Sequence, residues 1–329
     1  MSLSRLDRAE LPDAVSNGAD RFGGSLTALV TPFADGGRRL DERAFAGLVE
    51  WQVAEGTEGL VVAGTTGEAP TLTATEHDRL LRVAIEAAAG RVPVIAGTGT
   101  NCTRSSIERT RAAQAAGADA ALVVTPYYNK PMQEGLYRHF AAIAGSVDLP
   151  LLLYTVPCRT GVDIAPDTLG RLAAIPNIVG IKDATGDLAR PTATARATGA
   201  GFLQLSGHDA TAAAFNLAGG RGCISVVSNV APRLCADLQR ACRDGDFRAA
   251  AALQARLAPL ISALERETNP ATVKLALSFL RPDVSPDPRL PLVAPVSGTA
   301  TAVVEALEAV LGRMPGGSGR EPEPTSRAA

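Results

Sequence analysis

The stretch LPLLLYTVP (residues 149–157) is apolar almost without interruption and ends at a proline. A strand with one wet face alternates apolar and polar residues. A strand that is apolar throughout is buried on both faces, as in a parallel sheet covered by helices. Similar short runs recur on either side: SLTALVTPF (25–33), GLVVAGT (59–65), PVIAGTG (93–99), AALVVTP (120–126), IVGIK (178–182), FLQLSG (202–207) and GCISVVSN (222–229). Each is followed by a segment with helical character, rich in Ala and Leu: 41–56, 73–89, 103–117, 133–145, 166–174, 188–198, 210–218 and 232–243. Eight β–α units in this length predict an α/β fold of the (β/α)₈ TIM-barrel type. An open doubly wound sheet should carry a glycine-rich phosphate loop after its first strand. Here that position reads VTPFADGG (30–37), without the required spacing.

After the eighth unit the chain stays helical over 246–264, 270–280 and 299–311, which predicts a C-terminal α-helical extension. The expected division is a barrel over 23–243 and an extension over 244–312, with disordered segments at 1–22 and 313–329.

The bulk properties exclude several classes. A net charge of -2 and a pI near 6.0 give no general attraction to nucleic acid. No apolar run reaches membrane-spanning length, and the N-terminus has no apolar signal core, so a cytoplasmic protein is expected. The five cysteines are scattered and form no CxxC pair, and the three histidines are dispersed; neither set has metal-ligand spacing.

Barrel chemistry sits at the C-terminal ends of the strands. Those ends carry Thr65 and Thr66, Tyr127 and Tyr128, Tyr154 with Arg159 on its loop, Lys182, the run Ser206-Gly207-His208-Asp209, and Ser225. Each has an ordinary structural role open to it. A lysine at a strand end snorkels to water, and a threonine caps a turn. Their convergence on one rim is harder to explain in that way. Desolvation disfavours the charged form of an amine, and a neutral amine attacks carbonyls. Lys182, one of three lysines in the chain, is thus a candidate Schiff-base nucleophile. Tyr154 is a candidate proton relay. Thr65 and Thr66, beside glycines, could bind a carboxylate, and the Arg159 guanidinium could bind a second one.

GTTGEAPTL (64–72), VTPYYNKP (124–131), LYTVPCRTG (153–161), GIKDATG (180–186), LSGHDA (205–210) and ISVVSNVAP (224–232) resemble the dihydrodipicolinate synthase family. That family belongs to the superfamily of pyruvate-dependent class I aldolases that includes N-acetylneuraminate lyase. The likeness runs from Gly24 to Leu311 and includes NPATVK (269–274) and RLPL (289–292). It implies a homotetramer built from tight dimers, with no metal or organic cofactor and a covalent Schiff base between Lys182 and pyruvate. It implies Tyr154 as the central proton relay with Thr65 beside it, and Tyr128 as a residue lent to the neighbouring subunit's site. It further implies that Thr66 binds the pyruvate carboxylate and Arg159 that of the aldehyde, with Gly207 and the carbonyl of Ile224 lining the pocket. The implied substrates are pyruvate and L-aspartate 4-semialdehyde. Two positions depart from the family pattern: Thr155 stands where asparagine is usual, and His208 where aspartate is usual. Both are expected near the second substrate. They leave open another pyruvate aldolase that acts on a sugar acid or a specialised-metabolite aldehyde.

Overall fold

A computed structural model gives the fold of residues 19–312. The tails read as disordered at 1–18 and 313–329 lie outside the described residues. Eight parallel strands close into a barrel: β1 (Gly24–Ala28), β2 (Gly59–Val62), β3 (Val94–Gly97), β4 (Ala120–Val124), β5 (Leu151–Thr155), β6 (Ile178–Asp183), β7 (Leu203–Ser206) and β8 (Gly222–Ser225). Each pairs with its neighbours in sequence, and β8 closes on β1 through Gly24 with Gly222 and Thr27 with Ser225. The helices between them are α1 (Glu42–Ala54), α2 (Ala74–Ala88), α3 (Thr103–Ala116), α4 (Gln133–Ala144), α5 (Pro166–Ala173), α6 (Arg190–Thr198) and α7 (Ala212–Leu217). Then follow α8 (Pro232–Arg243), α9 (Phe247–Leu264), α10 (Ala271–Leu280) and α11 (Ser297–Leu311).

Strand alternation sorts the apolar runs into two layers. Leu26, Val61, Ile95, Leu122, Leu152, Leu203, Leu205 and Ile224 fill the barrel interior. Their sequence neighbours, such as Leu60, Val94, Val123, Leu153 and Ile181, pack against the helices. This double burial is why the strands read as unbroken apolar runs. The first run overshoots its strand for a related reason. Residues 29–32 are buried as loop: Val30 N donates to Asn229 Oδ1, and Thr31 Oγ1 donates to the carbonyl of Gly67.

The sequence reading of disorder up to residue 22 needs correcting at its end. Ala19–Phe22 forms a 3₁₀ turn, and Phe22, 2% exposed, packs with Leu26 and Leu203 in the interior cluster. An aromatic ring of that size is held by the area it buries.

The C-terminal helices α9, α10 and α11 share one apolar core with α1, α2 and α8. A polar seam runs beneath them. Lys274, within α10, is fully buried and ion-paired at 2.8 Å to Glu68, which is equally buried. Its amine also donates to the carbonyl of Asp287 at 2.7 Å. Burial pushes the Lys274 amine below its ordinary range, and Glu68 offsets part of that push. Arg289 donates its main-chain N–H to Glu68 and clasps Glu76 with its guanidinium at 2.5 and 2.8 Å.

Glu76 also completes a capping box with Thr73 at the start of α2. The Arg289 hydrogen bond, against some desolvation, lowers the Glu76 pKa from 4.5 to about 2. Depression of a carboxyl pKa in the folded state gives stability that is present above the unfolded value and lost as pH falls. Wild-type stability should therefore decline between pH 4.5 and about 2 partly through this group. Denaturant unfolding across that window checks it: Glu76→Gln should show a shallower decline than wild type, and parallel slopes would refute the assignment.

Candidate active site

Two adjacent strands build the centre of the site. On β5, alternation turns Leu152 and Tyr154 into the barrel, and on β6 it does the same for Gly180 and Lys182. The register pairs Leu152 with Gly180 and Tyr154 with Lys182. The Lys182 amine therefore lies 4.5 Å from the centroid of the Tyr154 ring. Both residues are buried, at 5% and 6% exposure, so Lys182 does not snorkel into solvent. Among the described residues it makes no ion pair. The adjacent carboxylate, Asp183, points the other way. It accepts from Thr185 and from Arg190, whose guanidinium also binds Asp163.

Glycine is required just after the next strand, β7. A Cβ at Gly207 would lie 2.7 Å from Lys182 Cε and 2.8 Å from the Ala184 Cβ. Gly207 N donates to the carbonyl of Asp183 at 2.6 Å, which pins the strand end beside the lysine. Ile224, on β8, belongs to the interior cluster.

Opposite β6 in the ring stands β2, followed by Thr65 and Thr66. Thr65 is half-buried, and its carbonyl accepts Glu68 N. Thr66 is 2% exposed, and its Oγ1 accepts a hydrogen bond from Asn269 Nδ2 at 3.0 Å. The main-chain oxygen of the same Asn269 accepts from Arg159 Nη2 at 3.3 Å. Thr66 and Arg159 are thus tied through one residue just before α10. Tyr128 stands apart from this group. Its side chain is 90% exposed, and its backbone adopts φ 71°.

Both departures noted in the sequence can now be located. Thr155 was expected near the second substrate, but it faces the helix layer. Its hydroxyl donates to Asp163 Oδ1 at 2.8 Å, inside the Asp163–Arg190–Asp183 cluster. The alternation that turns Tyr154 inward turns Thr155 outward. His208 does lie on the rim, with Nδ1 3.0 Å from Thr211 Oγ1 and its ring facing Gly186. Asp209 next to it accepts the main-chain N–H groups of Val226 and Val227, bracing the loop after β8.

The sequence reading assigned no role to Asn269, Glu68, Lys274 or Arg289. One signal was available: Lys274 sits alone in the otherwise uncharged helix ATVKLALSFL. Among the described residues no group of three or more His, Cys, Asp or Glu side chains could hold a metal ion. No helix there is long and apolar enough to cross a membrane.

Comparison with known proteins places this geometry. The model of the dihydrodipicolinate synthetase family matches residues 21–310. The 4-hydroxy-tetrahydrodipicolinate synthase of Rhodospirillum centenum is 55% identical over 286 residues, 87% of this chain and 97% of that one. The enzyme of the same name from Acidiphilium cryptum is 53% identical over 293 residues, covering 89% and 99% of the two chains. The crystal structure of a chloride-inhibited dihydrodipicolinate synthase from Acinetobacter baumannii, complexed with pyruvate, superposes with a TM-score of 0.85 at 46% identity, covering 88% of this chain and 98% of that one. A buried amine at a barrel mouth, the ordered motifs around it and the match over nearly all described residues agree: the chain belongs to the dihydrodipicolinate synthetase family.

Proposed function

We propose that the protein is a 4-hydroxy-tetrahydrodipicolinate synthase, a lyase-class aldolase that condenses pyruvate with L-aspartate 4-semialdehyde on the route to diaminopimelate and lysine. The observation that carries this is the buried Lys182 amine, without an ion pair among the described residues, against the Tyr154 ring. The relatives of that name, at 55% and 53% identity, support it, as does the pyruvate in the Acinetobacter structure.

The chemistry follows from the groups. Lys182 Nζ adds to the keto carbon of pyruvate, and loss of the keto oxygen as water leaves an imine. The protonated imine nitrogen draws electrons as a methyl proton departs, giving an enamine. The enamine carbon bonds to the aldehyde carbon, and the aldehyde oxygen takes up a proton. The substrate's own amine then adds to the imine carbon, closes the ring and expels the Lys182 amine. Tyr154 passes the protons through Thr65 and Tyr128. Thr66 binds the pyruvate carboxylate and Arg159 the carboxylate of the aldehyde, with Gly207 and the carbonyl of Ile224 lining the pocket. No metal or organic cofactor takes part in these steps, and we place them in the cytoplasm.

We assign Tyr128 to the site of a neighbouring subunit in a homotetramer of tight dimers. Its 90% exposure, and the 85% exposure of Met132 on the same loop, support that role. So does a positive φ at a non-glycine residue, a strain found mostly at functional positions.

Borohydride trapping with pyruvate, followed by turnover against a panel of aldehydes, tests the reading. A trapped adduct together with preference for a sugar-acid aldehyde would transfer the protein to another reaction of the superfamily. The outward orientation of Thr155 removes one of the two grounds for that alternative. A second test concerns acceptor binding. A planar guanidinium grips a carboxylate at two points, and an ammonium does not. Arg159→Lys should therefore raise KM for aspartate semialdehyde about tenfold or more while moving KM for pyruvate little. Equal effects on both would place Arg159 outside the acceptor site.

A further inference from the structure

Asn269 lies 203 residues from Thr66 in the chain yet bonds to it directly, and it anchors Arg159 as well. Its two contacts differ in kind. The side-chain amide serves Thr66, and the main-chain carbonyl serves Arg159. The remaining side-chain oxygen, Oδ1, is buried and has no partner among the described residues.

A threonine hydroxyl has one proton and two lone pairs. In this arrangement Asn269 Nδ2–H occupies a lone pair of Thr66 Oγ1. The Thr66 proton is given to no described residue, although the side chain is only 2% exposed. A buried hydroxyl that receives a bond and gives none is set up as a donor for an incoming acceptor. We propose that Asn269 is a positioning residue that keeps Thr66 in this donor state toward the carboxylate of pyruvate. The inference rests on the assignment of Thr66 to that carboxylate made above. It deepens that assignment by giving the C-terminal extension a specific part in recognising the first substrate.

The division of contacts makes the idea testable. Every side-chain substitution at Asn269 keeps the carbonyl that holds Arg159, so the aldehyde site is spared. Asn269→Ala removes the N–H donor and lets the Thr66 hydroxyl rotate. Asn269→Asp replaces the donor by a group that only accepts. The carboxylate accepts the hydrogen bond of the Thr66 hydroxyl, turning it away from the substrate, and sets a negative charge beside the arriving carboxylate.

Four variants, Asn269→Ala, Asn269→Asp, Thr66→Val and the double variant Thr66→Val/Asn269→Ala, are compared with wild type by KM for each substrate and by the pyruvate concentration that half-saturates borohydride inactivation. The expected result is a rise in both pyruvate measures of several-fold for Asn269→Ala and on the order of tenfold or more for Asn269→Asp, with KM for the aldehyde within about twofold of wild type. In a Thr66→Val background, Asn269→Ala should add nothing, because residues that act through one another are not additive. If Thr66→Val leaves the pyruvate measures unchanged, the assignment of Thr66 fails and the proposal fails with it. If Thr66→Val raises them but Asn269→Ala does not, the role of Asn269 is overturned while the reading of Thr66 stands. Equal rises for both substrates, or full additivity with Thr66→Val, also overturn it, since general loosening of the loop would do the same. The borohydride measure needs no aldehyde turnover, so these outcomes remain separable from any revision of the second substrate.

Discussion

Lys182→Ala is expected to abolish the borohydride-stable pyruvate adduct and to reduce condensation to the uncatalysed background. The chain is suited to a clean result because it has only two other lysines. Lys274 is fully buried and already donates to Glu68 and to the carbonyl of Asp287. Lys130 is exposed on the loop after β4, where its ammonium is solvated. Neither has the combination found at Lys182, a buried amine with no carboxylate partner among the described residues and a phenol ring beside it. Mass spectrometry of the trapped wild-type protein should place the whole adduct on the peptide that contains Lys182. A reduced adduct on Lys130 or Lys274 in the Lys182→Ala protein would sink the assignment of the nucleophile. The substitution should leave the fold intact, because it only shortens one side chain at a barrel mouth, and circular dichroism checks this.

Lys274→Met is expected to have the largest effect on stability. It removes one partner of an ion pair in which both side chains are fully buried and leaves Glu68 charged without its counter-ion. Such a break costs about 3–5 kcal/mol in buried pairs. Replacing both partners is far less costly, since the desolvation penalty goes with the charges. The double variant Glu68→Gln/Lys274→Met should thus recover much of the loss in denaturant unfolding. The amide oxygen of the introduced glutamine can still accept the Arg289 N–H that Glu68 accepts now. A double variant no more stable than Lys274→Met would show that the seam depends on charge rather than on packing. Glu68 stands two residues from Thr66, so Lys274→Met should also weaken pyruvate binding.

These two residues mark where the sequence was and was not informative. The barrel was legible because its strands are buried on both faces and its units recur in order. The place of Lys182 and Tyr154 at the barrel mouth was legible because both stand at the C-terminal ends of strand-like runs. The place of Thr155 could also have been read, since a residue next to an inward tyrosine must face outward. Expecting it in the pocket ignored the two-residue period of the strand. The Glu68–Lys274 pair was out of reach for a different reason. Its members are 206 residues apart, and no local periodicity encodes a contact between a rim loop and a helix of the extension. The same holds for Asn269 and Thr66. The start of α6 shows a smaller limit. The helical pattern runs back to Leu188, but Asp187 accepts Ala189 N and forms a turn with Arg190, delaying the helix to Arg190.

The seam beneath α10 bears on how this protein can be recombined. A barrel followed by helices invites grafting, with the first part taken from one relative and the second from another at the junction near Gly245. Such a splice would separate Glu68 from Lys274, Glu76 from Arg289 and Thr66 from Asn269, all three of which cross it. A chimera keeps its seam only if both parents carry compatible groups at all six positions. The unit of exchange is therefore the span from Thr66 to Arg289. A library built from shuffled relatives should show its surviving crossovers before Thr66 or after Arg289, and few between them.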